Sequence, residues 1–382
     1  MGKRKFQLPG EEDLNKDQDR VLALPEDGQY LIVGGPGTGK SVVALLRALK
    51  YQDNDDYVFL VYNKVLKALS RQLLNINLNK YLTIITWFNY VFKKITNEKN
   101  TPQKNNDGYH TPDYAAIISK YEGLECSSRS LHIIIDEGQD MPPSFYEALV
   151  CAGYQNFFIV ADQNQQITDD NSNRQELTDN LGLESKDVIE LRINYRNSHP
   201  IALFASCFYT DKASPAPELP DRESLETPVL YKQISNEKTF EMILREADKD
   251  TKKLIGVVVA NHKVRLEYID GIKNLNITLD NALPIISTYS STDTEEVTID
   301  FSQGGVVVLN DKSIKGLEFD IVYIIIDGFK IYNNDQTSMK KRLYVMSSRA
   351  IEKLALVSTQ DNSSILSLLP TDEKIMKISK GF

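Results

Sequence analysis

The chemistry of this sequence begins at 34-GGPGTGKS-41, a glycine-rich segment that fits the pattern G-x-x-x-x-G-K-[ST]. Glycines in such a segment let backbone N–H groups close around phosphate oxygens. Lys40 offers a positive charge to the β- and γ-phosphates of a nucleotide, and the Ser41 hydroxyl is suited to coordinate Mg²⁺. The segment lies between an apolar run and an amphipathic run, which predicts a strand, a phosphate-binding loop and a helix in that order.

Two adjacent carboxylates are the second chemical feature. Asp136 and Glu137 follow the apolar run 131-LHIII-135, and ligands of parallel sheets bind at the carboxyl ends of the strands. We expect Asp136 to hold Mg²⁺ beside Ser41, while Glu137 orients or deprotonates the attacking water. Such a pair by itself is more often a solvated turn, and the upstream phosphate loop favours the catalytic interpretation.

Short, β-branched apolar runs recur along the chain, with amphipathic segments between them. Runs of this kind are typical of strands buried on both faces of a parallel sheet, with helices covering those faces. They predict an α/β protein with one group of strands before about residue 190 and another after it. The clearest runs are 29-QYLIVG-34, 57-YVFLVY-62, 131-LHIIID-136, 156-NFFIVAD-162, 254-LIGVVVA-260, 305-GVVVL-309 and 321-IVYIIID-327.

Composition limits the class of protein. The 382 residues are 41% apolar and 25% charged, which is ordinary for a globular chain of about two domains. A formal net charge of −9 argues against a protein that coats nucleic acid, although a local basic groove is compatible with it. Three scattered cysteines favour a reducing compartment. No apolar run is long enough to span a membrane and the charged N-terminus does not resemble a signal peptide, so we expect a cytoplasmic protein without a membrane partner.

A series of short segments resembles, in order, the motifs of superfamily 1 helicases of the UvrD/Rep/PcrA type. The segment 136-DEGQD-140 is similar to the Walker B motif of that family, and 191-LRINYRNSHPIA-202 is similar to motif IV. Motifs V and VI have counterparts in 313-SIKGLEFDIV-322 and 342-RLYVMSSRA-350. The segment 14-LNKDQ-18 resembles the Q motif, and 60-LVYNKVLKALSR-71 resembles motif Ia. The segment 83-TIITWF-88 resembles the next strand-and-loop contact of the family, and 160-VADQNQQI-167 resembles motif III. The resemblance covers most of the chain.

This resemblance implies two RecA-like P-loop NTPase domains, each a parallel sheet flanked by helices, with ATP and Mg²⁺ in the cleft between them. The first motor domain, 1A, would span 1–190 and carry a reduced insertion at 89–130. The second motor domain, 2A, would span 191–382, with a reduced insertion at 262–304 in place of the family's larger subdomain. The chain would then be close to a bare two-domain motor.

The resemblance also implies roles for individual residues. Gln18 would read the adenine, Tyr195 would stack on the base, and Gln165 would sense the γ-phosphate. The catalytic set would be Lys40, Asp136, Glu137, Gln165, Arg196 and Arg349. Contacts with the nucleotide would come from Gln18, Gly35, Gly37, Thr38, Gly39, Lys40, Ser41, Tyr195, Arg196, Gly316 and Glu318, and Mg²⁺ would be held by Ser41 and Asp136.

Arginine chemistry agrees with these roles. A guanidinium group stays charged and forks onto phosphate oxygens, so Arg196 and Arg349 could stabilise the charge that spreads over a transferring phosphoryl group. Such contacts would also make closure of the two domains depend on the γ-phosphate. For an arginine considered alone, a surface salt bridge is the commoner role, and the motif context favours the nucleotide.

Contacts with a single strand are implied for Asn63, Lys64, Thr86, Trp87, Phe88, Lys312 and Ser313. No aromatic residue follows Gln165, where the family typically has a base-stacking tryptophan, and the chain's single tryptophan is Trp87. Trp87 and Phe88 could supply a stacking surface instead, or Trp87 could belong to the core, and the sequence leaves both interpretations open. Motif V also departs from the family pattern at 310-NDKS-313.

Two functions of different classes follow. The first is an ATP-driven translocase or helicase on single-stranded DNA, with 3′-to-5′ movement implied by kinship. The second is an ATPase switch that binds strands and signals to a partner without travelling. An RNA-directed form of either stays open. A partner such as a nuclease, within a larger complex of anti-phage defence, is a further hypothesis.

Overall fold

The computed structural model describes residues 13–51, 56–61, 80–104, 111–124, 126–162, 164, 171–210, 216–224, 226–289, 299–301, 303–360 and 364–380. Two parallel α/β units follow each other along the chain. Within these residues, no helix is long and apolar enough to cross a bilayer.

The first unit is built on a six-stranded parallel sheet with the order β3-β2-β4-β5-β1-β6. Its strands are β1 (Gln29–Gly34), β2 (Tyr57–Val61), β3 (Tyr81–Thr83), β4 (Arg129–Ile135), β5 (Tyr154–Ala161) and β6 (Val188–Leu191). Its helices are α1 (Lys16–Leu22), α2 (Lys40–Lys50), α3 (Ile84–Thr96), α4 (Tyr114–Glu122), α5 (Pro143–Cys151) and α6 (Arg174–Leu181). In the register of this sheet, Leu31 of β1 lies between Ile159 and Val188.

The second unit has a seven-stranded parallel sheet with the order β13-β7-β12-β11-β8-β10-β9. Its strands are β7 (Val229–Lys232), β8 (Leu254–Val259), β9 (Ile286–Tyr289), β10 (Gly305–Asn310), β11 (Phe319–Ile325), β12 (Ala350–Ser358) and β13 (Lys377–Lys380). Its helices are α7 (His199–Ser206), α8 (Asn236–Lys249), α9 (His262–Asn274) and α10 (Gln336–Ser347).

Each sheet is covered on both faces, as its apolar strands require. Successive side chains of a strand point to opposite faces, so Leu31 and Val33 enter one core of the first unit while Tyr30 and Ile32 enter the other. In the second unit Val307 packs into one core and Val308 into the other. The prediction of two α/β units with parallel sheets and flanking helices is therefore confirmed.

The predicted insertions are largely parts of the two units. In the range 89–130, α3 and α4 contribute Phe92 and Tyr121 to the core of the first sheet. In the range 262–304, α9 packs on the second sheet and β9 forms its edge strand. Much of both ranges thus packs on the two sheets, and the two reduced insertions stay predictions. Leu191 is the last residue of the first sheet, and the boundary at 190/191 stays a prediction.

Candidate active site

The phosphate loop connects the end of β1 to the start of α2. Gly37 and Gly39 have φ angles of 74° and 87°, a region that L-residues with a side chain rarely adopt. The Thr38 hydroxyl donates to the Gly35 carbonyl at 2.8 Å, which braces the loop from inside. The predicted strand, loop and helix follow in that order, and the first turn of α2 presents backbone N–H groups where a phosphate would bind.

Lys40 lies buried at the start of α2. Its ammonium donates to the Gly35 carbonyl at 2.7 Å and lies 3.7 Å from a carboxylate oxygen of Asp162, at the end of β5. Burial lowers the pKa of Lys40, and the negative charge of Asp162 partly opposes that change. A nucleotide phosphate would give this buried ammonium a stronger partner than a backbone carbonyl.

Ser41 and Asp136 meet, as predicted for a Mg²⁺ site. The Ser41 hydroxyl donates to the Asp136 carboxylate, and Asp136 also accepts from the Glu137 backbone N–H at 3.0 Å. Burial and the adjacent Glu137 raise the pKa of Asp136 to about 7, so a cation beside it would restore the ionised form. One hydroxyl and one carboxylate are hard oxygen donors, and they fit a Mg²⁺ that takes its other ligands from water and phosphates.

Glu137 occupies a strained turn directly after β4. Its φ and ψ angles are 57° and 42°, the left-handed region that is unfavourable for a residue with a side chain. Its carboxylate accepts from the Gln139 amide at 2.7 Å, and the same amide's oxygen accepts from the Asp162 N–H at 3.0 Å. Burial alone would raise the pKa of Glu137, but the charges of Lys315, Lys40 and Arg349 outweigh it and lower the pKa to about 2. Glu137 is thus held as an anion.

A lysine of the second unit reaches into this site. Lys315 follows β10 and is only 4% exposed. Its ammonium contacts an Asp140 oxygen at 2.5 Å and lies 3.7 Å from a Glu137 oxygen, so it joins the two units across the cleft. Burial would lower the pKa of Lys315, but Asp140 and Glu137 overcome that effect and raise it. Sequence reasoning missed this residue, although it lies inside the segment that resembles motif V.

Arg196 faces the phosphate loop from the segment after β6. It forms an ion pair with Glu318, which lies beyond Gly316 in the turn before β11. Its Nε and Nη1 atoms are buried and lack a hydrogen-bond partner in the part of the chain that the structure describes. Two such buried donors on a half-buried guanidinium suit an anionic ligand such as a phosphate.

Arg349 lies at the end of α10 and is 2% exposed. Its Nε donates to the Val345 carbonyl at 3.1 Å. Burial lowers the pKa of Arg349 to about 10, and repulsion from Arg196 contributes to this change. The negative charge of Glu137 acts in the opposite direction. The structure therefore brings Arg349 close to Glu137 and Asp162 of the first unit, and Arg196 close to Lys40.

Gln18 and Tyr195 lie beside the phosphate loop. The Gln18 side chain donates to the Thr38 carbonyl at 3.1 Å and accepts from the Asn15 N–H at 3.1 Å. The Tyr195 hydroxyl accepts from the Asn15 amide at 2.8 Å, and its backbone N–H donates to the Gly37 carbonyl at 2.9 Å. Tyr195 is 51% exposed, which leaves its ring accessible to a base. The roles in adenine binding stay predictions.

The predicted strand contacts need one correction. Trp87 and Phe88 are buried in the core of the first unit, where the Trp87 ring packs on Tyr154 at 5.5 Å between centroids. We therefore assign both to the core instead of to a base-stacking surface. Thr86 and Lys312 are exposed, and Ser313 is buried. Asn63, Lys64 and Gln165 lie outside the described residues, so their predicted roles stay predictions.

No family model matches the sequence, and no curated protein matches it either. Among solved structures, the chain is similar to Dbp5 of S. cerevisiae bound to RNA and ADP BeF3, with a TM-score of 0.53 and 13% identity over 96% of this chain and 89% of that one. Two further likenesses have TM-scores below 0.5. The C-terminal domain of a possible DNA helicase from Lactobacillus plantarum gives 0.34 at 16% identity, covering 48% of this chain and 98% of that chain. The PRRSV helicase gives 0.41 at 13% identity, covering 93% of this chain and 56% of that chain. The likeness to Dbp5 thus supports a fold of two RecA-like α/β units.

Proposed function

We propose that this chain is an ATP-dependent translocase or helicase that moves on single-stranded nucleic acid. The observation that carries the proposal is the meeting of two sets of side chains in one buried cleft. The first unit supplies Lys40, Asp136 and Glu137, and the second supplies Arg196 and Arg349. Such a site can bind a nucleotide from both sides, so the two units would close when ATP binds and separate after hydrolysis.

The residues present suit phosphoryl transfer to water. Lys40 would neutralise the β- and γ-phosphates, and Glu137, kept ionised and positioned by Gln139, would orient the attacking water. A Mg²⁺ bound by Ser41 and Asp136 would supply further charge neutralisation at the phosphates. Two donors of Arg196 have no partner among the described residues, and with Arg349 this side chain would stabilise the charge that develops on the γ-phosphate.

The finer assignment rests on the resemblance to the UvrD/Rep/PcrA type. It supports single-stranded DNA as the track, with 3′-to-5′ movement, and leaves RNA as an alternative track. It also supports membership of a larger complex, for which a nuclease of anti-phage defence is our proposed partner. Co-purification with a nuclease would support that membership, and a lone monomer with full unwinding activity would oppose it.

A nucleic-acid-gated ATPase switch is the second candidate. Burial of Trp87 and Phe88 favours it, because neither side chain can stack on a base in this structure. A switch would close on ATP and a strand, and would signal to a partner without separating a duplex.

Steady-state ATP hydrolysis with and without single-stranded DNA tests the proposal, with single-stranded RNA in parallel. We expect strong stimulation by one of the two, and no hydrolysis by Lys40→Ala at the same protein concentration. Hydrolysis that neither strand changes would oppose both candidates. A duplex with a 3′ single-stranded tail then separates them, because a helicase displaces the complementary strand and a switch leaves it annealed.

A further inference from the structure

Lys315 is a buried cation that contacts two carboxylates of the other unit. Its ammonium lies 2.5 Å from Asp140 and 3.7 Å from Glu137, and its side chain is 5% exposed. Lysine is almost never this buried unless it is paired. The pairing exists only while the turn after β10 lies against the turn after β4, so opening the cleft would break it.

Glu137 is therefore held by two contacts of different origin. Gln139 belongs to the same unit and donates to the Glu137 carboxylate at 2.7 Å, a contact that involves no residue of the second unit. Lys315 comes from the second unit and adds a positive charge beside the same carboxylate oxygen. Gln139 can thus set the direction of the Glu137 carboxylate. The positive charge that this carboxylate experiences from Lys315 depends on closure of the two units.

Asp140 fixes where the Lys315 ammonium lies. It is the last acidic residue of 136-DEGQD-140 and is almost completely buried. Its backbone N–H donates to the Glu137 carbonyl at 3.0 Å, so Asp140 and Glu137 share one tight turn. A lysine anchored on Asp140 is consequently held at a fixed distance from the Glu137 carboxylate.

We propose that Lys315 is a positioning residue that makes Glu137 competent for hydrolysis only when the two units are closed. The inference rests on the proposed function, in which Glu137 orients the attacking water. The Lys315–Asp140 pair would then couple closure of the two units to ATP hydrolysis, in addition to holding the units together. An ion pair that only joined the units would be replaceable by a neutral contact.

The test compares Lys315→Met, Lys315→Arg, Asp140→Asn and the double variant Lys315→Met/Asp140→Asn, with Lys330→Met as an exposed control on the same unit. Turnover is measured at saturating ATP and strand, and affinity by titration with a fluorescent ATP analogue. We expect Lys315→Met to lower kcat about a hundredfold, as displaced catalytic groups do, with analogue affinity little changed. Lys315→Arg should recover part of the loss.

The double variant shows whether Lys315 positions Glu137 or only joins the two units. It leaves no unpaired charge in the Lys315–Asp140 contact, so a purely structural pair would return turnover to the wild-type value. We expect it to stay as slow as Lys315→Met, because Glu137 still lacks the positive charge of Lys315. Small-angle scattering with a non-hydrolysable ATP analogue reports whether each variant still closes.

The experiments distinguish failure of this inference from failure of the proposed function. A wild-type protein that hydrolyses ATP, together with full turnover in Lys315→Met or in the double variant, would overturn this inference alone. A slow variant that no longer closes with the analogue would also overturn it, because the pair would then act by joining the units. A wild-type protein without ATP hydrolysis would overturn the proposed function and this inference together.

Discussion

Asn197 holds the backbone on both sides of Arg349. Its side-chain amide donates to the Ser348 carbonyl at 3.1 Å and to the Ala350 carbonyl at 2.5 Å. The amide oxygen accepts from Asn194 at 2.9 Å, and Asn197 directly follows Arg196 in the chain. One buried side chain thus fixes the relative position of the two segments that bear the arginines.

Replacing Asn197 by alanine should disturb both arginines together. The change leaves two carbonyls and the Asn194 amide without this partner, so we expect a loss of about 1–3 kcal/mol in the free energy of unfolding. ATP turnover should also fall under conditions where the protein stays folded, so that unfolding does not account for the fall. Urea unfolding and steady-state hydrolysis measure the two effects. Asn180→Ala on α6 removes an asparagine hydrogen bond elsewhere and is the matched control. Normal turnover in folded Asn197→Ala would contradict the prediction.

Arg349→Ala should lose turnover with little loss of nucleotide affinity. Removing a transition-state arginine typically lowers phosphoryl transfer by about a thousandfold or more. Arg349→Lys keeps a charge but lacks the planar fork, and we expect it to recover only part of the rate. Single-turnover hydrolysis and analogue titration give the two quantities. Equal losses in both would indicate a contact already made in the ground state.

The sequence predicts the parts of the site that are local in the chain. The phosphate loop and the carboxylates after β4 are patterns of neighbouring residues, and their positions at strand ends follow from the parallel sheet. Lys315 and Asp140 are 175 residues apart, and Asn197 and Ala350 are 153 apart. No spacing rule connects such pairs, so only the packing of the two units reveals them.

Burial of Trp87 was one of two interpretations left open, and the signal that decides between them is in the sequence. The buried positions of α3 are i, i+3, i+4, i+7 and i+8, the spacing of one helical face, and they are Ile84, Trp87, Phe88, Val91 and Phe92. The motif left Trp87 open between strand contact and core, whereas the periodicity favours the core. Helical phase is therefore the better guide when an aromatic residue lies inside a motif.

Glu137→Gln should trap ATP in the closed protein. Glutamine keeps the size of the side chain and can still accept from Gln139, but it cannot carry the charge that orients and activates water. General-base contributions predict a fall in turnover of about 10²–10⁴-fold. Filter binding of labelled ATP and of a strand should show unchanged or tighter affinity. Glu147→Gln on the exposed side of α5 controls for loss of a carboxylate, and wild-type turnover in Glu137→Gln would show that the assignment is wrong.

We expect substitutions of Trp87 to change the stability of the protein and substitution of Thr86 to change its affinity for a single strand. Trp87 fills the core beside Tyr154, so Trp87→Ala should lower the free energy of unfolding by about 3–5 kcal/mol. Trp87→Leu keeps apolar bulk and removes the aromatic ring, and we expect its affinity for a single strand to equal that of the wild type. Thr86→Ala, one residue earlier on the exposed face of α3, should weaken strand binding and leave thermal stability unchanged. Fluorescence anisotropy with a labelled oligonucleotide and thermal melts measure both properties. A loss of about 1–3 kcal/mol of strand binding in folded Trp87→Leu would show that the ring stacks on a base after all.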